Sequence, residues 1–144
     1  LVETVAVTTI LGGLSAVAVP RFFDWTTEAR VAVVRSMEGA VHSASTLVHM
    51  GCLVRAGCTP HEGEASLKVG GDDVVNLYRG YPSAGDAAGI VNALEFKGFD
   101  AVHVADATVF RQQGAPHPER CAVIYVAPQA DGTPPRITSD VSGC

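Results

Sequence analysis

The 144-residue chain has 47% apolar and 17% charged residues and a formal net charge of −5. This composition excludes a disordered chain, and the length allows one domain with a modest core. Because no run of basic residues accompanies the negative charge, the sequence argues against nucleic-acid binding and against attraction to an anionic membrane surface.

Residues 1–20, LVETVAVTTILGGLSAVAVP, are predicted to form an apolar helix whose only charge is Glu3. About 20 helical residues span about 30 Å, the hydrocarbon thickness of a bilayer. The hydroxyls of Thr4, Thr8 and Thr9 are expected to bond to backbone carbonyls of the same helix. No basic segment precedes the apolar stretch, so we expect that a leader was removed or was never present.

Three features distinguish this helix from a plain anchor. The Glu3 carboxylate costs a few kcal/mol in lipid unless it is neutralised or paired. Gly12 and Gly13 each weaken a helix by roughly 1 kcal/mol relative to alanine, and Pro20 removes a backbone donor. We therefore predict a helix that is kinked or partly melted between Gly12 and Pro20.

Helical periodicity continues from Phe22 to about Met50, and Gly51 or Gly57 can end the helix. The stripe predicted to pack on a domain consists of Phe22, Trp25, Ala29, Val33, Met37, Ala40, Ala44, Leu47 and Val48. A rod of roughly 50 residues is about 75 Å long. Fewer than about 100 remaining residues cannot cover such a rod, so its first half must contact lipid or other subunits.

The remaining residues predict a small, mainly antiparallel sheet. Strands are expected at 66–69, 74–78, 108–112, 122–127 and near 137, with a turn at 80–83 and a short helix over 86–94 capped by Asp86. The fold class is therefore α+β, with a long N-terminal helix packed on the sheet. Residues 1–21 form the apolar helical segment, and residues 22–144 form a globular domain that includes the amphipathic half of the helix.

Four cysteines, Cys52, Cys58, Cys121 and Cys144, predict two disulfides and an oxidising compartment. Three connectivities remain possible from the sequence alone. A bond between Cys121 and Cys144 would close a loop of about 24 residues and contribute about 3 kcal/mol.

A zinc site is the alternative use of the first two cysteines. His49, Cys52, Cys58 and His61 supply four ligands of zinc-binding type, although the gap between the cysteines is shorter than in familiar zinc modules. An exported protein favours the disulfide. His42 and His49 lie seven residues apart on one helix face, as a ligand pair or as two surface histidines.

No pattern predicts catalysis. Asp72 and Asp73 follow Gly70–Gly71 and are compatible with calcium or, more commonly, with an ordinary turn; Glu62 and Glu64 allow the same two interpretations. The sequence contains no nucleophile constellation and no glycine-rich phosphate loop after a strand. We therefore expect no catalytic residue, no bound metal and no cofactor, and hence not an enzyme.

The N-terminal motifs resemble those of type IV pilins and the related pseudopilins. The matching segments are Leu1-Val2-Glu3, Ile10-Leu11-Gly12 and Val19-Pro20-Arg21-Phe22. In that family the processed chain begins with an apolar helix that carries a glutamate five residues in, an I-L-G run and then a proline. Here the glutamate is the third residue, so the match does not identify the N-terminal residue that the family usually methylates.

Segments further along the chain resemble pilins of the mannose-sensitive haemagglutinin (MSHA) type. They are Ala29-Arg30, the run from Ser43 to Val48, Gly80-Tyr81-Pro82 and Gly143-Cys144. The N-terminal match covers about twenty residues and is specific, whereas these later segments are short and dispersed.

The resemblance implies a structural subunit that polymerises into a type IV pilus, an adhesive fimbrium on the surface of a Gram-negative bacterium. Glu3, Gly12, Gly13 and Pro20 would then serve assembly, and residues 1–21 would anchor the subunit and form the filament core. The resemblance also implies a Cys121–Cys144 disulfide, which leaves Cys52–Cys58 as a local pair.

The implied partners are further copies of the chain, the inner membrane before assembly, a prepilin peptidase and the pilus assembly machinery, with no nucleic acid. Before assembly the globular domain would lie in the periplasm. Two alternatives remain open: a pseudopilin of a type II secretion system, and a membrane-anchored periplasmic binding domain that does not polymerise. For the filament itself, twitching, DNA uptake and phage reception remain open beside attachment.

Overall fold

The computed structural model describes the backbone of residues 1–55, 58 and 63–144, and the side chains of these residues except 15–25. One long helix precedes two antiparallel sheets. The elements are α1 (Val2–Val54), β1 (Glu64–Lys68), β2 (Val74–Tyr78), β3 (Tyr81–Pro82), β4 (Phe99–Val104), β5 (Ala107–Gln112), β6 (Ala122–Val126) and β7 (Arg136–Asp140), with 3₁₀ turns at Ile90–Ala93 and Pro118–Arg120. The α+β class predicted from the sequence is confirmed.

The helix α1 is continuous over 53 residues, about 80 Å. Its backbone stays helical through Gly12, Gly13 and Pro20. The partial melting predicted there is therefore absent from the isolated chain. The helix also passes Gly51, which had been expected as a possible end, while Gly57 lies outside the described residues. The helix ends at Val54, after which Arg55 is extended and its N–H bonds to Cys52 O.

The first sheet has the order β1-β2-β3. The predicted hairpin is present, with Lys68 opposite Val74 and its connection closed by the Val69 N–H bonding to Asp73 O at 2.9 Å. A two-residue turn then leads into β3. Arg79 and Gly80 both have positive φ, 53° and 79°, as such a tight hairpin requires. The predicted turn at 80–83 is therefore wrong at Tyr81–Pro82, which form a short edge strand.

The second sheet is a meander in the order β4-β5-β6-β7. Strands β5, β6 and β7 confirm the strands predicted near 108–112, 122–127 and 137, whereas β4 was not predicted. The expected helix over 86–94 is wrong, since only Ile90–Ala93 form a 3₁₀ turn. Asp86 caps no helix: its two carboxylate oxygens accept bonds from Ser83 Oγ at 2.6 Å and Ala88 N–H at 2.8 Å, which close a local turn instead.

Two apolar clusters hold α1 against the sheets. The larger cluster packs Val34, Met37 and Val41 of α1 on side chains of the second sheet that include Phe110 and Tyr125. A smaller cluster joins the end of the helix to the first sheet. Its buried members are Val48, Cys52, Leu67, Val75 and Leu77.

The stripe predicted to pack on the domain was only partly correct. Met37, Ala44 and Val48 are buried as expected, but Val33 is 44% and Leu47 72% exposed. Ala29 and Ala40 are exposed as well, while the side chains of Phe22 and Trp25 lie outside the described residues. The prediction failed because α1 is apolar on two faces, and periodicity alone does not say which face meets the sheets.

Candidate functional site

The first quarter of α1 extends beyond the globular domain. Every side chain from Leu1 to Leu14 is exposed, including Ile10 at 63% and Leu14 at 64%. Among the side chains that the structure describes, no apolar member of either cluster precedes Val31. The structure therefore places a rod of exposed large apolar side chains outside both described clusters of the domain.

Hydroxyl groups do not make this rod polar. The hydroxyls of Thr4, Thr8 and Thr9 donate to the carbonyls of Leu1 at 2.9 Å, Thr4 at 2.9 Å and Val5 at 2.7 Å. The expectation that they bond within the helix is confirmed. Because these donors are satisfied internally, the surface can enter an apolar environment without leaving a hydroxyl unpaired.

A second exposed apolar stretch continues along the helix beside the domain. Leu47 is 72%, Met50 56% and Val54 83% exposed. At about 100° per residue, these side chains and Val33 share an arc of roughly 100°, beside the buried face. The same arc includes Val7, Leu11 and Leu14. We call these seven residues the outer seam: Val7, Leu11, Leu14, Val33, Leu47, Met50 and Val54.

No described atom packs closely against the glycines predicted to act in assembly. A Cβ added at Gly12 or Gly13 would meet no atom within 4 Å. The neighbouring Pro20 has a described backbone, but its side chain lies outside the described set. Glu3 is exposed in the first turn of α1, where a carboxylate is favoured by the helix dipole. Glu3, Gly12 and Gly13 thus lie along one helix, apart from the polar cleft described below.

The structure contains the disulfides Cys52–Cys58 and Cys121–Cys144, the two pairs favoured from the sequence. The thiols of Cys52 and Cys58 are consequently not available to zinc in this state, and His61 lies outside the described residues. Among the described residues, no three His, Cys, Asp or Glu side chains group together as metal ligands.

The two helix histidines differ in their surroundings. His49 Nδ1 donates to Gly80 O at 2.8 Å, and its ring stacks on Tyr81 with 4.0 Å between the ring centroids. His42 is exposed. His49 therefore ties α1 to the β2–β3 turn, which gives it a structural role and separates it from His42.

Two contacts that fasten the C-terminal segment to α1 were not predicted. Arg30 Nη1 donates to Cys144 O at 3.2 Å, and Ser139 Oγ donates to Glu38 Oε2 at 2.7 Å. Together with the Cys121–Cys144 disulfide, they join helix, sheet and last residue. Each bond links residues more than a hundred positions apart, so no local pattern could have indicated it.

A polar cleft of about 610 Å³ lies between the two sheets. Its walls include Glu64 and Tyr78 from the first sheet, Asp86 from the loop that follows and Asp106 from the β4–β5 turn. Sequence analysis did not find this cleft. Asp72 and Asp73 lie outside it, at the exposed β1–β2 turn, which favours the turn interpretation of those residues.

Comparison with known proteins identifies no relative: no protein-family model, curated protein or solved structure matches the chain. Among the described residues, no helix is long and apolar enough to cross a membrane. The predicted membrane-spanning segment, 1–21, extends into residues 15–21, whose side chains lie outside the described residues.

Proposed function

We propose that this protein is a structural subunit that polymerises through α1 into a type IV pilus-like filament on a bacterial surface, where the filament serves attachment. The observation that carries the proposal is the exposure of every side chain from Leu1 to Leu14 on a helix whose domain is folded without them. An apolar rod of this kind is stable in water only when other apolar surface covers it.

The outer seam favours other copies of the same chain as the apolar surface that covers this rod. Beyond residues 1–14 and the undescribed side chains 15–25, its members Val33, Leu47, Met50 and Val54 are exposed on a face that the sheets leave open. A lipid anchor alone would not require exposed Leu47, Met50 and Val54 beside the globular domain. Helices packed side by side would bury both stretches at once, as in a helical bundle.

Gly12 and Gly13 are consistent with a helix that moves from the membrane into a filament. Each costs roughly 1 kcal/mol in helix stability relative to alanine, and no packing within the chain requires either of them. In the proposed pathway the helix first resides in the inner membrane, after cleavage by a prepilin peptidase. The assembly machinery then transfers it into the filament, where the section from Gly12 to Pro20 can lose helicity and lengthen the rod.

Glu3 provides the proposed register between subunits. A carboxylate surrounded by apolar helices needs a cation, because an unpaired buried charge costs several kcal/mol. The family resemblance supplies one, the amine at the mature N terminus of a neighbouring subunit. Pairing of these groups neutralises both and fixes the stagger of adjacent helices.

Substitution of Glu3 tests this mechanism. In cells that produce the protein, Glu3→Ala is expected to leave the subunit folded and to reduce sheared surface filaments, counted by electron microscopy, by at least about tenfold. Glu28→Ala is the matched control, since Glu28 is an exposed glutamate on the same helix. Wild-type filament numbers from Glu3→Ala would refute the register role, and absence of filaments from wild-type cells would refute the function itself.

The cleft favours one competing function. Its volume of about 610 Å³ falls within the range of small-molecule sites, which suits a membrane-anchored binding domain that does not polymerise. Such a protein would yield no surface filaments, and its cellular role would depend on the cleft. Isolation of filaments containing the chain therefore separates the two functions, whatever the cleft binds.

A further inference from the structure

The four-stranded sheet has an outer face that is apolar and uncovered by the helix. Its central cross-strand row is Val102, Val109, Ile124 and Thr138, and the next row is Val104, Ala107, Val126 and Arg136. The five valine and isoleucine residues in these rows belong to neither buried cluster; Val104 is 53% exposed and the other four are half-buried. The second row also lines a shallow cavity beside the β6–β7 connection. The inner face, by contrast, carries the core residues Phe110, Val123 and Tyr125.

Charged residues lie at both ends of this face. Arg136 is exposed at one end of β7, and Asp140 lies at the other end of the same strand. The Asp140 pKa is lowered, chiefly by the Ser142 backbone N–H and also by the Ser142 hydroxyl, which keeps the carboxylate ionised. The row of Asp140 also contains Asp100 and Arg111, and Arg120 lies close enough to affect the Asp140 pKa.

We propose that this outer face docks on the same face of a second copy of the chain, in an antiparallel two-fold arrangement centred on the row of Val109 and Ile124. The two-fold axis lies in the plane of the contact and is perpendicular to the strands. Each strand then lies over the same strand of the second copy, and the two run in opposite directions. Arg136 then faces Asp140 of the second copy, twice per pair. The alternative axis along the strands would place Asp100 over Asp140 and is disfavoured by repulsion.

The area available limits the strength of this contact. Four strands about 4.8 Å apart, with two apolar rows and one charged row, present roughly 300–400 Å² per copy. A total below about 1,000 Å² is typical of a weak interface. The association should therefore be transient between dilute molecules, so cross-linking will detect it better than sedimentation. The proposal does not depend on filament formation, because it concerns a face remote from the outer seam.

The test uses the full chain in non-ionic detergent, with both native disulfides intact. Val109→Cys places a thiol on the central row, where a short bis-maleimide reagent is expected to join two copies. Asp72→Cys is the control, since Asp72 is exposed on a turn of the other sheet. Association through α1 would affect both variants equally, so the excess of dimer in Val109→Cys measures docking through the sheet.

Charge reversal in the Val109→Cys background then tests the arrangement. Arg136→Glu should lower the yield of cross-linked dimer about tenfold, because it replaces two exposed Arg136–Asp140 ion pairs by two pairs of repelling carboxylates. Arg136→Glu with Asp140→Arg should restore the yield. Equal cross-linking of Val109→Cys and Asp72→Cys would overturn docking through this face. Cross-linking that the double reversal fails to restore would overturn the antiparallel arrangement.

Discussion

The side chain of Tyr125, on the second sheet, contacts the first sheet and belongs to the cluster that packs on the helix. Its ring is fully buried in the larger cluster, and its hydroxyl donates to the carbonyl of Pro82 in the other sheet at 2.6 Å. Tyr125→Phe removes only that oxygen. The ring packing remains, while the buried Pro82 carbonyl loses its donor.

The expected cost follows from this geometry. Removal of one partner from a buried hydrogen bond destabilises a protein by about 1–3 kcal/mol. For a domain of this size, 2 kcal/mol corresponds to a decrease in Tm of roughly 8 °C. Thermal unfolding of the full chain in detergent, followed by circular dichroism, measures the decrease. Tyr78→Phe is the control, because the Tyr78 ring is only half-buried, next to Arg79.

Alkaline pH provides a second readout of the same hydroxyl. Burial raises the pKa of Tyr125, and the Ser45 side chain lowers it to a smaller extent. The folded state therefore holds the proton more tightly than the unfolded chain does. This contribution to stability is complete below pH 10 and declines as the pH rises toward the folded-state pKa.

The difference in the free energy of unfolding between wild type and Tyr125→Phe should consequently decrease above pH 10, by at most about 1.4 kcal/mol per pH unit. Urea titrations at pH 8, 10 and 11 would measure this narrowing. A Tyr125→Phe variant as stable as Tyr78→Phe at pH 8, or a difference that stays constant up to pH 11, would show that the hydroxyl does not join the sheets as described.

The remaining predictions concern stability and use the same thermal assay. Cys144→Ser should lower the free energy of unfolding by about 3 kcal/mol and Cys58→Ser by about 2 kcal/mol, because Cys121–Cys144 closes the longer loop. Equal losses would contradict loop closure as the cause. Gly85→Ala should cost about 3 kcal/mol, since φ is +79° and the new Cβ would overlap the Ala105 carbonyl. Gly70→Ala, also at positive φ but in open space, should cost only about 1 kcal/mol, and a Gly85→Ala cost no larger than that would refute the overlap.

Local patterns predicted the strands that have one plainly apolar face or a clear turn. The β1–β2 hairpin surrounds two glycines that both adopt positive φ, and β6 is a short apolar run. Strand β4 lacked such a signal. Its sequence FDAVHV places Val102 and Val104 on the outer face and Phe99 and Ala101 on the inner face, so neither strict alternation nor a continuous apolar run is present.

Contacts between distant parts of the chain were not predictable for a different reason. The carboxylate of Asp86 had two possible uses, as a helix cap or in a turn, and tertiary packing of Gly85 against the β4–β5 turn selected the second. The same applies to α1, where a helix apolar on two faces leaves two equally good surfaces for packing. Only the positions of Phe110 and Tyr125 determine that Val34 and Val41 are buried and Val33 is not.

The two faces of α1 therefore require two separate physical explanations. The face of Val34 and Val41 is accounted for by the sheets, and the domain would bury it whether or not the chain assembled. The outer seam lies outside both clusters, and its members Val7, Leu11, Leu14, Val33, Leu47, Met50 and Val54 are exposed. Exposed apolar side chains gain stability when other apolar surface covers them. In the proposed filament, α1 of another copy would cover these side chains, because helices that pack side by side bury apolar faces of this kind.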